Sequence, residues 1–214
     1  MAVKIMKPKV PSELPEKHFE DVYDAGEPYI DNALFKDCTI SLATDSAVEF
    51  TEVKFDNVTF DEAAVSKMYL RDVVFERCDL ANAQLSEMTM KRVTFLNCRL
   101  VGTSFAESYF EDVVFQDCNL QLAALGFSKQ KNVHYASCRL KDADFYENKL
   151  AKVAFTDCDL SGINFVGTAL KGIDISSSQF DRISVTIEDL KGCIVSQEQA
   201  LDFLVMLGLV IKGN

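Results

Sequence analysis

Large apolar residues recur at every fifth position of this chain, from residue 30 to residue 195, without a change of register. Of the 34 positions in that series, only Asp45 and Gln130 are not large and apolar. A chain that is about half apolar would fill roughly half of such positions by chance. The period therefore predicts a repeat architecture in which each five-residue unit buries one large side chain, here called the central residue.

The residue two positions before each central residue is small or medium-sized almost throughout the series. Residues two apart on an extended segment point to the same side, so both positions face inward and the two residues after the central one turn a corner. All seven cysteines occupy the small inward position: Cys38, Cys78, Cys98, Cys118, Cys138, Cys158 and Cys193. Each five-residue unit therefore predicts one short side of a coil.

A second period of 20 residues lies on top of the first. Cysteines recur at this interval from Cys78 to Cys158, and leucines from Leu80 to Leu160. Four five-residue sides then make one coil, and equivalent residues stack in columns. The sequence predicts an all-β fold, a right-handed quadrilateral parallel β-helix of about eight coils over residues 30–195, roughly 40 Å long.

Charge divides in the way this fold requires. Of the 25 acidic residues between positions 30 and 195, all but Asp45 and Glu188 fall on outward positions. Burying an unpaired carboxylate costs several kcal/mol, which explains the partition. The net charge of −11 opposes direct binding to nucleic acid or to a membrane surface. The opening residues contain no apolar stretch of signal-peptide length, so we expect a cytoplasmic protein.

Both ends lie outside the repeat. Residues 1–29 predict an irregular lead-in that covers the first coil. Residues 196–214 predict a helix with Ser196 as N-cap and Gln199 completing a capping box, followed by a tail. This helix covers the last coil, and its many apolar residues favour a second role as a dimer interface. The residues predicted at that interface are Ala200, Leu201, Phe203, Leu204, Leu207 and Leu209.

Few residues suggest a catalytic or metal-binding role. Thiols one coil apart in an apolar interior lack the short paired spacings of metal sites. Neither His18 nor His134 has neighbours that suggest a catalytic triad. We therefore expect no enzyme activity, metal or cofactor. Gln130 has two interpretations, an inward side chain bonded to backbone or water in a distorted side, or part of a local contact surface.

Acidic side chains form the remaining candidate site. Glu87, Glu107 and Glu147 share one corner column, and Phe127 takes its fourth place. Further carboxylates lie nearby: Glu111, Asp112, Asp142 and Asp144. A solvated face is one interpretation. The other is an electrostatic outline like that of duplex DNA, because a dimer about 80 Å long would match roughly 24 base pairs in a basic channel.

Several five-residue units resemble the pentapeptide-repeat signature, a small residue followed two positions later by Leu or Phe. Examples are Cys78-Asp-Leu-Ala-Asn82, Ala83-Gln-Leu-Ser-Glu87, Cys98-Arg-Leu-Val-Gly102, Cys158-Asp-Leu-Ser-Gly162 and Thr168-Ala-Leu-Lys-Gly172. A narrower resemblance is to the Qnr-type quinolone-resistance proteins. They are similar to this chain in length and in the end Gln199-Ala-Leu-Asp-Phe-Leu-Val-Met-Leu-Gly-Leu-Val-Ile211. The segment from Arg92 to Tyr109 resembles the Gram-positive members of that group.

That resemblance implies a homodimer that binds DNA gyrase and topoisomerase IV in place of DNA, or beside it, and protects them from quinolones. The Gram-negative members carry protective loops, whereas the unbroken register here predicts none. The resemblance then permits inhibition of the topoisomerase and protection of it equally. The alternative is a passive structural or adaptor rod, for example an immunity protein against a peptide toxin.

Overall fold

The computed structural model describes residues 4–206. Its elements run in this order: α1 (Phe19–Val22), β1 (Tyr29–Lys36), β2 (Thr39–Thr44), β3 (Val48–Asp56), β4 (Thr59–Val65), β5 (Met68–Glu76), β6 (Thr89–Leu96), β7 (Tyr109–Gln116), β8 (Lys129–Ala136), β9 (Lys149–Thr156) and α2 (Gln197–Met206). No helix within residues 4–206 is both long enough and apolar enough to cross a bilayer.

Parallel strands stack at intervals of 20 residues. The longer sheet has seven strands in the order β1-β3-β5-β6-β7-β8-β9, and β2 pairs with β4 in a second sheet. Phe75 pairs with Phe95, and Phe95 with Phe115. Isolated bridges continue the same step as far as Asp174 with Ile194. The predicted parallel β-helix is confirmed. Six turns separate the seven strands, and bridges rather than strands hold the turns after β9.

Aromatic rings form a continuous ladder inside the rod. Successive ring centroids lie 4.6–5.3 Å apart, in parallel stacks, through Phe35, Phe55, Phe75, Phe95, Phe115, Tyr135 and Phe155. These side chains are at most 2 % exposed. Since no coil can bury its own inward residues, each ring depends on the coils above and below it.

The cysteine column runs beside the ladder. Five of its members are buried, and Cys38 and Cys193 at the two ends are half-buried. Each buried thiol donates a weak hydrogen bond to a carbonyl of the preceding coil, such as Cys98 to Phe75 at 3.5 Å. All seven are free. Burial raises the pKa of Cys193 to about 11, so this thiol is protonated at neutral pH.

The second corner residue of most units has a positive φ. The angle is 57° at Asn57, 54° at Asp117 and 74° at Gly162. Glycine, asparagine and aspartate tolerate this left-handed conformation better than other residues. The backbone conformation at this position therefore favours aspartate, asparagine and glycine, in addition to its outward direction.

One prediction about register is wrong. The pairing of β2 with β4 shifts by one residue between Ser41 and Ala43. Leu42 is only 2 % exposed and takes an inward place, while Asp45 lies exposed. The bulge keeps a carboxylate out of the apolar interior, where its desolvation would be costly.

The lead-in lies against two parts of the rod. Phe19 in α1 packs on Phe35 of the first coil, with ring centroids 5.9 Å apart. The residues before α1 run lengthwise along a corner of later coils. There the backbone N–H of Lys9 donates to Asp72 at 2.8 Å, and that of Met6 to Asp112 at 3.2 Å. This N-terminal strap, residues 4–12, is not predicted by the repeat.

Helix α2 covers the other end, and Gln199 supplies its hydrogen bonds to the last coil. Ser196 and Gln199 exchange the two hydrogen bonds of the predicted capping box, at 2.9 and 3.2 Å. The Gln199 amide also donates to the carbonyls of Ile175 and Ser178 at 2.9 and 2.7 Å. It thereby satisfies backbone acceptors that the last coil leaves without a strand partner.

Candidate partner-binding surface

Three carboxylates of the predicted acidic surface stand along one edge of the rod. Glu87, Glu107 and Glu147 all occupy second corner positions with φ between 50° and 59°, and all are exposed. None of them forms an ion pair among the described residues. Because equivalent residues of adjacent coils are about 4.8 Å apart, these side chains form a column of unpaired carboxylates, interrupted at Phe127 and here called the acidic edge.

Glu111 does not add a free charge to this edge. Its carboxylate lies 2.7 Å from the ammonium of Lys131 and 3.7 Å from that of Lys91. The hydrogen bond from Lys131 lowers the pKa of Glu111, against a smaller opposing effect of burial. Two cations therefore offset this carboxylate.

Asp112 is buried, and its prediction as part of an exposed acidic surface is wrong. Its exposed fraction is 1 %, because the strap and Asn132 cover it. One carboxylate oxygen accepts from the Met6 N–H at 3.2 Å and from the Asn132 amide at 3.1 Å. The other is buried without a hydrogen-bond partner.

The same buried corner contains an ion pair. Asp72, 4 % exposed, accepts two hydrogen bonds from the guanidinium of Arg92, each 2.6 Å long. Burial raises the pKa of Asp72, but the bonds from Arg92 and the Lys9 N–H outweigh it and hold this pKa below its usual value. This buried corner therefore holds the strap against the rod.

The last two predicted carboxylates lie on the neighbouring side of the rod and have local partners. Asp142 faces Arg182 at 3.5 Å. Asp144 accepts from the Asn164 amide at 2.8 Å and from the Tyr146 N–H at 3.1 Å. Of the seven predicted residues, the structure therefore brings together Glu87, Glu107 and Glu147 as an exposed column.

Sequence comparison assigns the repeat to a known family. A family model for the pentapeptide repeat region matches residues 70–128 and, in a second match, residues 88–165. Residues 70–165 are therefore a pentapeptide repeat region. The matching model is that of a repeat region and names no catalytic activity. No curated protein sequence matches the chain.

Solved structures similar to this chain include the following three. A trypsin-treated variant of QnrB1, a plasmid-mediated fluoroquinolone resistance protein, has a TM-score of 0.43 and 20 % identity over 86 % of this chain and 92 % of its own. HetL of Nostoc sp. strain PCC 7120, involved in heterocyst differentiation regulation, has a TM-score of 0.43 and 14 % identity over 80 % and 90 %. Rfr23 of Cyanothece 51142 has a TM-score of 0.18 and 10 % identity over 76 % and 91 %. Matches this distant do not identify a function.

Aromatic side chains beside the acidic edge were missed by sequence reasoning. Tyr29, Tyr69 and Tyr109 are 51 %, 43 % and 37 % exposed. They lie in one column on alternate strands of the longer sheet. The interval of 40 residues between these tyrosines, twice the coil period, was the sequence pattern that could have predicted the column. A shallow depression joins this column to the acidic edge, and its lining consists of Glu107, Ser108, Tyr109, Phe127 and Lys129.

The predicted dimer residues of this chain have unequal positions. Leu201 is 46 % exposed, and Ala200 is exposed as well. Phe203 is half-buried and packs on Phe180, with ring centroids 5.4 Å apart, so it attaches α2 to the rod. Leu204 is half-buried, whereas Leu207 and Leu209 lie outside the described residues.

Gln130 belongs to the interior rather than to a contact surface. It is 2 % exposed and lies in regular pairing with Phe110 and Leu150. Its partners are two side chains, since it accepts from the Tyr135 hydroxyl at 3.0 Å and donates to Ser128 at 3.1 Å. The contact-surface interpretation is wrong, and the expected bonds to backbone or water are replaced by side-chain bonds.

Proposed function

We propose that this protein binds a type II topoisomerase, DNA gyrase or topoisomerase IV, at a surface that otherwise holds DNA. Binding protects the enzyme from quinolones or modulates its activity. The observation that carries this proposal is the acidic edge, a column of exposed and unpaired carboxylates on a straight stack of coils. The resemblance of the chain to the Qnr-type proteins agrees with it.

Rigidity makes the acidic edge a suitable substitute for a nucleic acid backbone. Parallel strands fix each coil on the next, and the aromatic ladder fills the interior with close ring contacts. The carboxylates are therefore held in place before binding, and little conformational entropy is lost when a partner engages them. A flexible acidic chain would lack this advantage.

The charge density of the rod is lower than that of DNA. Residues 30–195 carry 25 acidic and 17 basic side chains, a net charge of −8. Over about eight coils of ~4.8 Å, this amounts to roughly one net negative charge per 5 Å, whereas B-DNA carries one per about 1.7 Å. The contact is therefore confined to the acidic edge, whose three glutamates form no ion pair among the described residues.

We also propose that two copies join through their C-terminal helices. Ala200 and Leu201 present apolar surface away from the rod, and Leu204, Leu207 and Leu209 would extend it. An isologous contact between these helices would place the two rods end to end. The assembly then presents two acidic edges related by a twofold axis.

The test is a supercoiling assay with gyrase and topoisomerase IV in the presence of a fluoroquinolone. Purified protein is expected to restore supercoiling at micromolar concentration, or to inhibit it at higher dose. The combined charge reversal E87K, E107K and E147K should abolish the effect. A matched control reverses Asp37, Asp117 and Asp157, which occupy the same left-handed corner position in the column two sides away. If the wild-type protein affects neither enzyme, the proposal fails and a passive structural, adaptor or toxin-immunity role is favoured.

A further inference from the structure

Two corner positions on a single coil carry large apolar side chains that the fold does not favour. Leu122 and Phe127 both have φ of 59°. They are 63 % and 55 % exposed. Every other described residue with positive φ is polar, charged or glycine. Each of the two thus combines an unfavourable backbone conformation for its type with large apolar surface left in water.

Short side chains lie between the two residues on this coil. Ala124 is half-buried on the side that joins the two corners, and Gly126, which precedes Phe127, is buried against Asp144 and Tyr146 of the next coil. The preceding coil has Ser104 and Ala106 at the equivalent positions. Since Ala124, Ser104 and Ala106 have short side chains, Leu122 and Phe127 project at either edge of this side. We call these two residues the apolar pair.

Carboxylates surround the apolar pair on adjacent coils. Glu107 precedes Phe127 by one coil in the acidic edge and Glu147 follows it by one coil. Asp142 follows Leu122 in the neighbouring corner column. Phe127 also touches Tyr146 edge-on, with ring centroids 5.4 Å apart, which orients its ring. A complementary surface therefore has an apolar recess with basic side chains around it.

We propose that Leu122 and Phe127 anchor the acidic edge to its protein partner by entering such a recess. This inference rests on the proposed function and assigns the partner as the topoisomerase. The low charge density of the rod gives a physical reason for an anchor, because charge alone would provide far weaker attraction than DNA does. Desolvated aromatic and aliphatic side chains at the centre of an interface commonly contribute most of the affinity, while charged surroundings set the rate and orientation of encounter.

The experiment uses the double variant L122N and F127N, together with each single variant, in the full chain. Asparagine suits a positive φ, so the melting temperature should stay within a few degrees of the wild-type value despite loss of the contact with Tyr146. Affinity for immobilised gyrase or topoisomerase IV should fall about 30-fold or more, as expected for a central anchor. The matched control is Ser137→Asn, on the same coil with φ of 52° but on the opposite corner. It should bind like the wild-type protein.

Three results would overturn the inference, and they have different consequences for the proposed function. If wild-type and double-variant proteins bind equally, the apolar pair is no anchor and the proposed function survives. If both single variants lower the melting temperature by ten degrees or more, the pair is structural. If the wild-type protein binds neither topoisomerase, the inference and the proposed function fail together.

Discussion

The hydroxyl of Tyr135 donates a hydrogen bond to the side-chain oxygen of Gln130 at 3.0 Å, inside the rod and out of contact with water. Tyr135 replaces a phenylalanine of the aromatic ladder, yet its ring stacks at 5.0 Å on both Phe115 and Phe155. Gln130 replaces an apolar residue in the neighbouring column. The amide that interrupts the apolar series and the one hydroxyl of the ladder therefore satisfy each other, five residues apart.

This pair predicts coupled effects on stability. Tyr135→Phe should lower the free energy of unfolding by about 1–3 kcal/mol, because it leaves the oxygen of Gln130 buried without a donor. Gln130→Leu should do the same to the Tyr135 hydroxyl. The double variant should be more stable than the sum of the two losses predicts. Denaturant unfolding of all four proteins measures the coupling, and strict additivity would show that the bond contributes nothing.

Acid should weaken the ion pair between Asp72 and Arg92. The pKa of Asp72 is lowered in the folded protein, so the pair stabilises the fold above the unfolded-state pKa of about 3.9, and this contribution is lost as the pH falls through the folded-state pKa. Asp72→Asn should cost about 3 kcal/mol at pH 7. The difference in stability between this variant and the wild-type protein should narrow in thermal melts between pH 4 and pH 2.

The exposed pair of Asp79 with Arg99 supplies the control for that experiment. Its side chains are 38 % and 57 % exposed, so Asp79→Asn should cost less than about 1 kcal/mol. Equal losses for the two substitutions would show that the corner under the strap is solvated.

The strap should depend on a backbone donor rather than on the Lys9 side chain. Lys9→Pro removes the N–H that reaches Asp72 at 2.8 Å and should lower stability by about 1.5–3 kcal/mol, as expected for a bond to a charged acceptor. Lys9→Ala keeps that N–H and should have little effect. Thermal unfolding and amide exchange of residues 4–12 measure both variants. Comparable losses would mean that the lysine ammonium is the important group.

Helix α2 should be held by the amide group of Gln199. Gln199→Glu keeps an acceptor for the Ser196 N–H but removes the donors to Ile175 and Ser178. The variant should melt at a lower temperature than wild type at pH 7, because a carboxylate then faces two carbonyl oxygens. Protonation restores one donor, so the difference should shrink near pH 4. A constant difference across this range would argue against direct contact.

Periodicity accounts for the parts of this structure that were predicted. The ladder from Phe35 to Phe155 and the stacking of Cys98 on its neighbours follow from side chains that must face a narrow interior at every fifth residue. Features outside the period depend on tertiary contacts and could not be read from it. Asp112 has the same pattern position as Glu107, yet the strap buries one and leaves the other exposed.

Local conformation was the other source of error. Asp45 is an exception in the apolar series, and nothing in that series indicates the bulge that the structure has after Ser41. The positive φ at Leu122 and Phe127 has no signature in a count of apolar residues. An expectation that this corner position favours asparagine, aspartate or glycine would have marked both residues as unusual.

Competition with DNA tests the central proposal most directly. Gyrase or topoisomerase IV is loaded with a fluorescent linear duplex, and the release of duplex is followed by anisotropy as purified protein is added. The wild-type protein and the control reversed at Asp37, Asp117 and Asp157 should displace the duplex at micromolar concentration, with weaker displacement at high salt. The variant reversed at Glu87, Glu107 and Glu147 should leave it bound. Full retention of the duplex with wild-type protein, or equal displacement by both reversed variants, would contradict the account.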